Sequence, residues 1–188
     1  VEKAGGVPVL YGIVPDVKAE LESVARVALG ECDMVIITAG SSASTRDMTA
    51  EVIEALGEPG VLVHGINTRP GKPTILGVCD GKAVIGLPGN PVSALVNGYL
   101  FVQPVIEKLL GESPRPRPVV SAKLTVNLPS QAGREDWIPV KLIPAQSEAS
   151  PAKTKIHYLA EPIFGKSNLI FTLAAADGLL RIPPEVTG

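Results

Sequence analysis

Aromatic residues make up only 4% of this 188-residue chain, and it holds two cysteines, two histidines and two methionines. Each shortage removes a class of function. Cys32 and Cys79 sit in no CxxC or Cys/His spacing, which leaves neither a zinc site nor a disulfide framework and suggests two reduced packing cysteines in a cytosolic protein. No uninterrupted apolar run of about 18 residues offers a membrane span. A formal net charge of −2 gives no whole-surface field for nucleic acid, so any anion site must be local. No Ser/His/Asp order, Walker lysine loop or GxGxxG is present, which withholds support from acyl transfer, NTP hydrolysis and dinucleotide binding. The first residue is Val1 and no basic stretch precedes an apolar one there, so we expect no secretory leader and a start inside a longer protein.

What is present is a globular composition, 45% hydrophobic and 19% charged, enough for one good core or a core plus a small satellite. Pro8 to Val14 ("PVLYGIV") reads as a strand. A helix follows from Pro15 and Asp16, with Val17, Leu21, Val24 and Ala28 at helical spacing and Gly30 closing it. Asp33 to Ala39 is a β-branched run suited to a strand buried on both faces. A polar loop then leads to a helix from about Met48, with Asp47 as its N-cap and Val52, Ile53 and Leu56 on one face before Gly57. Val61 to Ile66 is a third strand, and Thr74 to Leu87 reads as a hairpin turning at Asp80-Gly81. Asn90 and Pro91 open the last helix, whose apolar stripe is Leu95, Val102, Ile106 and Leu109, ending at Gly111. Strands alternating with helices predict a layered α/β domain on a largely parallel sheet over residues 1–112.

The three prolines of Gly111 to Pro118 predict a stiff linker. Beyond it, residues 119–188 hold short apolar segments broken by Pro, Gly and Ser without a helical stripe, which predicts a small all-β, barrel-like domain. No repeat occurs at a period of about 20–50 residues.

Three loops fall where a parallel α/β sheet places ligands, beyond the carboxyl ends of strands and at helix N-termini. Thr38 to Asp47 ("TAGSSASTRD") is small and hydroxyl-rich; it suits either close approach of a ligand to Gly40 and Ser42 or ordinary capping. In Asn67 to Thr74 ("NTRPGKPT"), Arg69 and Lys72 flank a Pro-Gly turn. They suit an oxyanion such as phosphate or molybdate, or are solvated surface charges. In Gly86 to Leu100 ("GLPGNPVSALVNGYL"), Pro88, Gly89, Asn90 and Pro91 fix the loop shape and point the N–H groups of Val92 and Ser93 outward. His64 reads as a core or edge residue, and Asp47 as an N-cap or a metal ligand.

"RPGKP", then "GLPGNPVSA", then a β domain, resembles the molybdopterin molybdenumtransferase family, the MoeA proteins and the E domain of gephyrin, over nearly the whole chain. The resemblance implies insertion of molybdenum from molybdate into adenylylated molybdopterin with release of AMP, a requirement for magnesium, and a homodimeric, cytoplasmic parent protein. It implies further that Arg69, Lys72 and Pro73 contribute to a molybdate site, joined by Arg134 of "GREDW" and Ser167 of "GKSNL". Gly89, Asn90 and Ser93 would face the pterin and phosphate. The family's "GGxSxGxxD" loop is here "AGSSASTRD". Ser42 and Asp47 match, while Ala39, Ser44 and Thr45 replace two glycines and an acidic residue, leaving Asp47 as the one acidic candidate for the metal. The family's α/β domain also starts one strand and one helix earlier, and its barrel extends further, so both domains are expected to be incomplete here and the piece inactive alone. Two other readings follow: a molybdopterin-binding or scaffold module without catalysis, and the related molybdopterin adenylyltransferase, against which the β domain and "RPGKP" argue.

Overall fold

The computed structural model describes residues 1–39, 43–113, 116–145, 158–165 and 170–186, with side chains described throughout these except at 39 and 43–46. The chain forms two packed units, one of residues 1–66 and 71–114, the other of 67–70 and 115–188.

The first unit is built on a four-stranded sheet, β1 (Met34–Ala39), β5 (Lys82–Pro88), β4 (Ile75–Cys79) and β2 (Pro59–His64), in that order. Only β1 and β5 are parallel; β4 pairs antiparallel with both β5 and β2. The sheet is therefore mixed, and the expectation of a largely parallel one is corrected. The cause is local: Asp80 (φ 49°) and Gly81 (φ 81°) make a two-residue turn with both residues left-handed, the geometry that joins antiparallel neighbours.

β1 alternates as a strand buried on both faces must. Val35 and Ile37 enter a core with Ala25, Ala28 and Leu29 of α1 (Lys18–Glu31), Val52, Ile53 and Leu56 of α2 (Ala43–Leu56), and Ile75, Cys79 and Val84. Met34 and Ile36 face a second cluster of Ile85, Leu87, Val102 and Ile106. Cys79 is buried, donates its thiol to the Ile53 carbonyl (3.2 Å), and is free, as is Cys32. Burial pushes the Cys79 thiol pKa up, in keeping with a packing role.

Several expected elements differ. Pro8 to Val14 forms no strand: Val7, Val9, Leu10 and Ile13 are exposed, and no ladder pairs this segment among the described residues. β-branched composition cannot make a strand without a neighbour to bond. The buried stripe of α1 is Ala25, Ala28 and Leu29 with Leu21 partly buried beside them, Val17 is outside the helix and exposed, and Gly30 lies within the last turn rather than closing it. α2 starts at Ala43, so Asp47 lies inside the helix, too deep to be its N-cap. The last helix is interrupted. α3 (Pro91–Asn97) passes into one wide π turn (Gly98–Val102) before α4 (Gln103–Leu109). The extra residue in that turn shifts the stripe, burying Val92, Val96, Val102 and Ile106 while Leu95 and Leu109 are about half exposed.

In the second unit β7 (Glu135–Pro144) is the spine. Its first residues pair in parallel with β3 (Thr68–Arg69), its second half antiparallel with β8 (Tyr158–Pro162), and Asp136 to Val140 antiparallel with β9 (Gly178–Ile182); β8 carries β6 (Ala122–Leu124). Asp136 pairs with both Arg69 and Ile182, and Val140 with both Pro162 and Gly178, so β3 and β8 share one edge of β7 and β9 takes the other. The strand path is open among the described residues, so the expected barrel is not closed there. A short helix, α5 (Ile170–Ala174), lies where only strands were expected.

Gly77 in β4 backs onto α2: a Cβ there would lie 2.7 Å from Ile53 Cγ2 and 3.0 Å from the Gly60 carbonyl oxygen, whereas at Gly98 it would meet nothing within 4 Å. Gly77→Ala is expected to cost about 1–3 kcal/mol by overpacking. Gly98→Ala, in helical backbone, should be neutral or stabilising by up to about 1 kcal/mol. Urea denaturation midpoints of the two variants test the contrast.

Candidate functional site

The loop after β2 is closed by backbone bonds within the first unit. Gly65 N–H donates to the Thr74 carbonyl (3.0 Å), Ile66 N–H to Lys72 (2.9 Å), and both the N–H and hydroxyl of Thr74 to Gly71 (3.0 and 2.8 Å). Gly71 has φ 109°, and a Cβ on it would lie 1.7 Å from Asn97 Nδ2. Asn97 is fully buried and its amide donates to the Ser93 carbonyl at 2.7 Å. The Pro-Gly turn of "RPGKP" thus rests on the side chain that closes α3. The two sequence motifs are one packed piece, joined by Asn97, a residue the sequence reading missed because a mid-helix asparagine carries no motif signal.

On this frame Lys72 is exposed and Pro73 half-buried. Gly89 is exposed and Asn90 half-buried. Asn90 occupies the N-cap position in extended conformation, yet its side chain makes no capping hydrogen bond. Its expected capping role is corrected to a backbone one, its carbonyl accepting from Ala94 N–H at 2.9 Å. Ser93 is buried.

Between Ile66 and Gly71 the chain contributes β3 to the second unit. Thr68 is buried and its hydroxyl donates to the Glu135 carbonyl (3.0 Å), while Glu135 N–H donates to the Asn67 carbonyl (3.0 Å) and the Asn67 amide to the Gly133 carbonyl. Arg69 pairs with Asp136, and residues paired across a ladder lie on the same face. Arg69 is exposed, with no ion pair among the described residues.

Asp136 is 1% exposed. It takes a bidentate grip from Arg134, Nε to Oδ1 at 2.7 Å and Nη2 to Oδ2 at 3.1 Å, and a hydroxyl bond from Ser130 at 3.2 Å. Arg134 Nη1 donates to Gln131 Oε1 (3.3 Å). Two predicted cations are therefore carried by one unit, Arg69 on β3 and Arg134 in the turn that leads into β7, with a buried carboxylate beside Arg134. The carboxylate went unread because "GREDW" shows two acids and gives no sign which one turns inward. Glu135, on the opposite face, binds Trp137 Nε1 (2.8 Å) and Arg181, whose guanidinium lies 6.0 Å from the Trp137 ring centroid.

Gly40, Ser42 and Ser167 lie outside the described residues, as does His157. Asp47 is exposed on α2, and among the described residues no group of three His, Cys, Asp or Glu side chains is placed to hold a metal ion. A lone carboxylate still suits magnesium, which commonly takes one or two carboxylates and completes its shell with water and phosphate. His64 is exposed on β2. It lines an open groove of about 490 Å³ with Lys18, Glu51 and Glu54, and none of the motif residues is there. No helix among the described residues is long and apolar enough to cross a membrane.

Residues 1–108 match the family described as "probable molybdopterin binding domain" and residues 121–188 the one described as "MoeA C-terminal region (domain IV)". The chain belongs to the molybdopterin molybdenumtransferase family, the MoeA proteins. It is 41% identical over 127 residues to the molybdopterin molybdenumtransferase of Haemophilus influenzae, covering 67% of this chain and 31% of that protein. It is 36% identical over 179 residues to a molybdopterin biosynthesis protein of Methanocaldococcus jannaschii, covering 95% and 39%. The crystal structure of a MoeA protein from Pyrococcus horikosii superposes with a TM-score of 0.73 at 35% identity, over 98% of this chain and 41% of that one. The chain spans about 40% or less of the length of these relatives.

The Gly71–Asn97 contact makes a separable prediction for this MoeA-family chain. Gly71→Ala should cost about 2–4 kcal/mol, from a strained left-handed backbone plus a steric clash with a buried amide. In an Asn97→Ala background the steric part should be recovered, so that Gly71→Ala then costs only about 1 kcal/mol. Equal costs in both backgrounds, read from chemical denaturation, would show that Asn97 is not what excludes a side chain at residue 71.

Proposed function

We propose that the full-length protein of which this chain is part inserts molybdenum from molybdate into adenylylated molybdopterin and releases AMP. The observation that carries this reading is the placement, within one unit, of Arg69 on β3 and of Arg134 immediately before β7, the strand that β3 pairs with, in a chain that belongs to the MoeA family. Molybdate is a tetrahedral dianion, and several charge-assisted donors held at fixed positions suit it. Lys72 and Pro73, three and four residues along from Arg69, and Ser167 are assigned to the same oxyanion by the family motif. Gly40, Ser42, Gly89, Asn90 and Ser93 are assigned to the pterin and phosphate side.

No side-chain nucleophile is needed. The work of these residues is to bind and orient two anionic substrates and to neutralise charge as the phosphate leaves, an electrostatic contribution that grows when donors are fixed before the substrate arrives. Asp47 is the residue that would hold magnesium; the ion, when bound, supplies positive charge to the adenylate phosphate. A homodimeric, cytoplasmic protein is part of the same proposal.

A molybdopterin-binding scaffold is the competing reading, favoured by Asp47 being the one acidic residue available in an altered serine-rich loop. The adenylyltransferase reading is disfavoured by the match of residues 121–188 to the MoeA C-terminal region. One assay separates catalysis from scaffolding: molybdate-dependent AMP release from adenylylated molybdopterin by the full-length protein. We expect release, and a loss of at least about a hundredfold in Lys72→Ala, the scale of removing one charge-stabilising donor. Binding that leaves the adenylate intact supports the scaffold, and normal release by Lys72→Ala removes that lysine from the site.

A further inference from the structure

We propose that Asp136 is a positioning residue that fixes the Arg134 guanidinium so that its free edge is offered to the oxyanion. This rests on the reading of Arg134 as an oxyanion ligand given above.

A guanidinium has five N–H donors in one plane. Asp136 takes the Nε hydrogen and one on Nη2, the side-on pair, and Gln131 takes one on Nη1. One hydrogen remains on each Nη nitrogen, and the one on Nη2 points away from Asp136 toward the end of the fork. The side-on carboxylate grip therefore leaves the end of the fork facing away from Asp136, the side on which a guanidinium can meet an oxygen of a tetrahedral oxyanion.

The carboxylate is itself held. Asp136 is 1% exposed, receives the Ser130 hydroxyl at 3.2 Å, and its backbone lies between β3 and β9. The turn carrying Arg134 is pinned as well: Gly133 N–H donates to the Pro184 carbonyl at 2.7 Å, Arg134 N–H to Gln131 at 3.2 Å, and the Asn67 amide binds the Gly133 carbonyl. A flexible four-bond side chain is thus reduced to one orientation before any ligand arrives. Asp136 also cancels the charge of one of the two arginines, so that of this pair Arg69, exposed on the paired strand, is the one whose charge Asp136 does not compensate through a bidentate grip. The division of labour is that Arg134 gives direction and Arg69 gives charge.

The test uses the full-length protein and molybdate-dependent AMP release, with KM for molybdate and kcat read separately. Arg134→Ala and Asp136→Asn should each raise KM for molybdate by about ten- to hundredfold, the range typical of losing the partner that orients a ligand, with kcat changed less than about threefold. In the double variant the two effects should not multiply, because Asp136 has nothing left to orient once Arg134 is gone. A product of the two single effects, or a normal KM in Asp136→Asn beside a raised one in Arg134→Ala, overturns the positioning role. A normal KM in Arg134→Ala overturns the oxyanion reading itself. Should Asp136→Asn fail to fold, Arg134→Lys decides: a point charge cannot bridge both carboxylate oxygens, so its KM should approach that of Arg134→Ala, and a wild-type KM refutes the proposal.

Discussion

The constraint on which most of the arrangement depends is the re-entry of the chain at Gly71. Four residues leave the first unit, two of them add a strand to the second, and the chain must turn back at once to begin β4. It does so with a φ of 109° and no space for a side chain beside Asn97. The turn is then locked by Thr74, fully buried, whose N–H and hydroxyl both bind the Gly71 carbonyl. Within its own unit each neighbouring cation starts from a bonded backbone: Arg69 on a strand paired with β7, and Lys72 on a residue whose carbonyl accepts from Ile66 N–H.

Charge burial explains the second half of the geometry. Arg134 and Asp136 are oppositely charged, largely withdrawn from water and bonded through two atoms each. Such a pair gains little net stability over apolar residues, since desolvation offsets the attraction, but removing one partner costs about 3–5 kcal/mol. A pair of this kind is therefore better understood as specifying an orientation than as holding the fold together. Glu135 and Arg181 make the contrast. Arg181 is 58% exposed in its side chain, and an exposed pair of that type contributes about 0–1 kcal/mol. Of two acids adjacent in sequence, one is committed to an interior guanidinium and one covers the outer face with Trp137.

Much of the fold was legible from local rules. The Asp80-Gly81 hairpin, the β-branched run of β1, the helix opening at Pro91 and the left-handed Gly111 (φ 79°) at its end each follow from the conformational preference of one or two residues. What was not legible depends on partners. Pro8 to Val14 has strand composition and no strand beside it. Periodicity placed the stripe of the last helix on Leu95, Val102, Ile106 and Leu109; Val102 and Ile106 are buried, but the π turn at Gly98–Val102 leaves Leu95 and Leu109 outside it, and nothing in "NGYLFV" marks an extra residue in a turn. The sheet was expected to be largely parallel because helices alternate with strands, although the hairpin read at Asp80-Gly81 already implied one reversed strand, and β4 runs antiparallel to both of its neighbours. Of the candidate site residues, Arg69 and Lys72 were singled out as cations flanking a Pro-Gly turn and Arg134 by the family resemblance, whereas Asn97 and Asp136 are set apart by their burial. Burial is a property of the assembled unit and not of the string around the residue.

The same distinction bears on how an acidic chain would bind the oxyanion of the proposed reading. With a net charge of −2, long-range attraction is not available, and salt would screen it beyond roughly 10 Å in any case. The attraction must come from a few groups whose orientation is settled in advance, so that little entropy is lost on binding and no reorganisation is required. The β3–β7 pairing brings Arg69 beside Asp136, and Asp136 grips the Arg134 guanidinium. On the proposed reading, selectivity for a tetrahedral dianion then comes from direction more than from the amount of positive charge, because one arginine of the two is already neutralised. Replacing Asp136 by an uncharged residue would add net positive charge while removing direction. Affinity that fell despite the gain in charge would mean that geometry, and not electrostatic potential, governs the site.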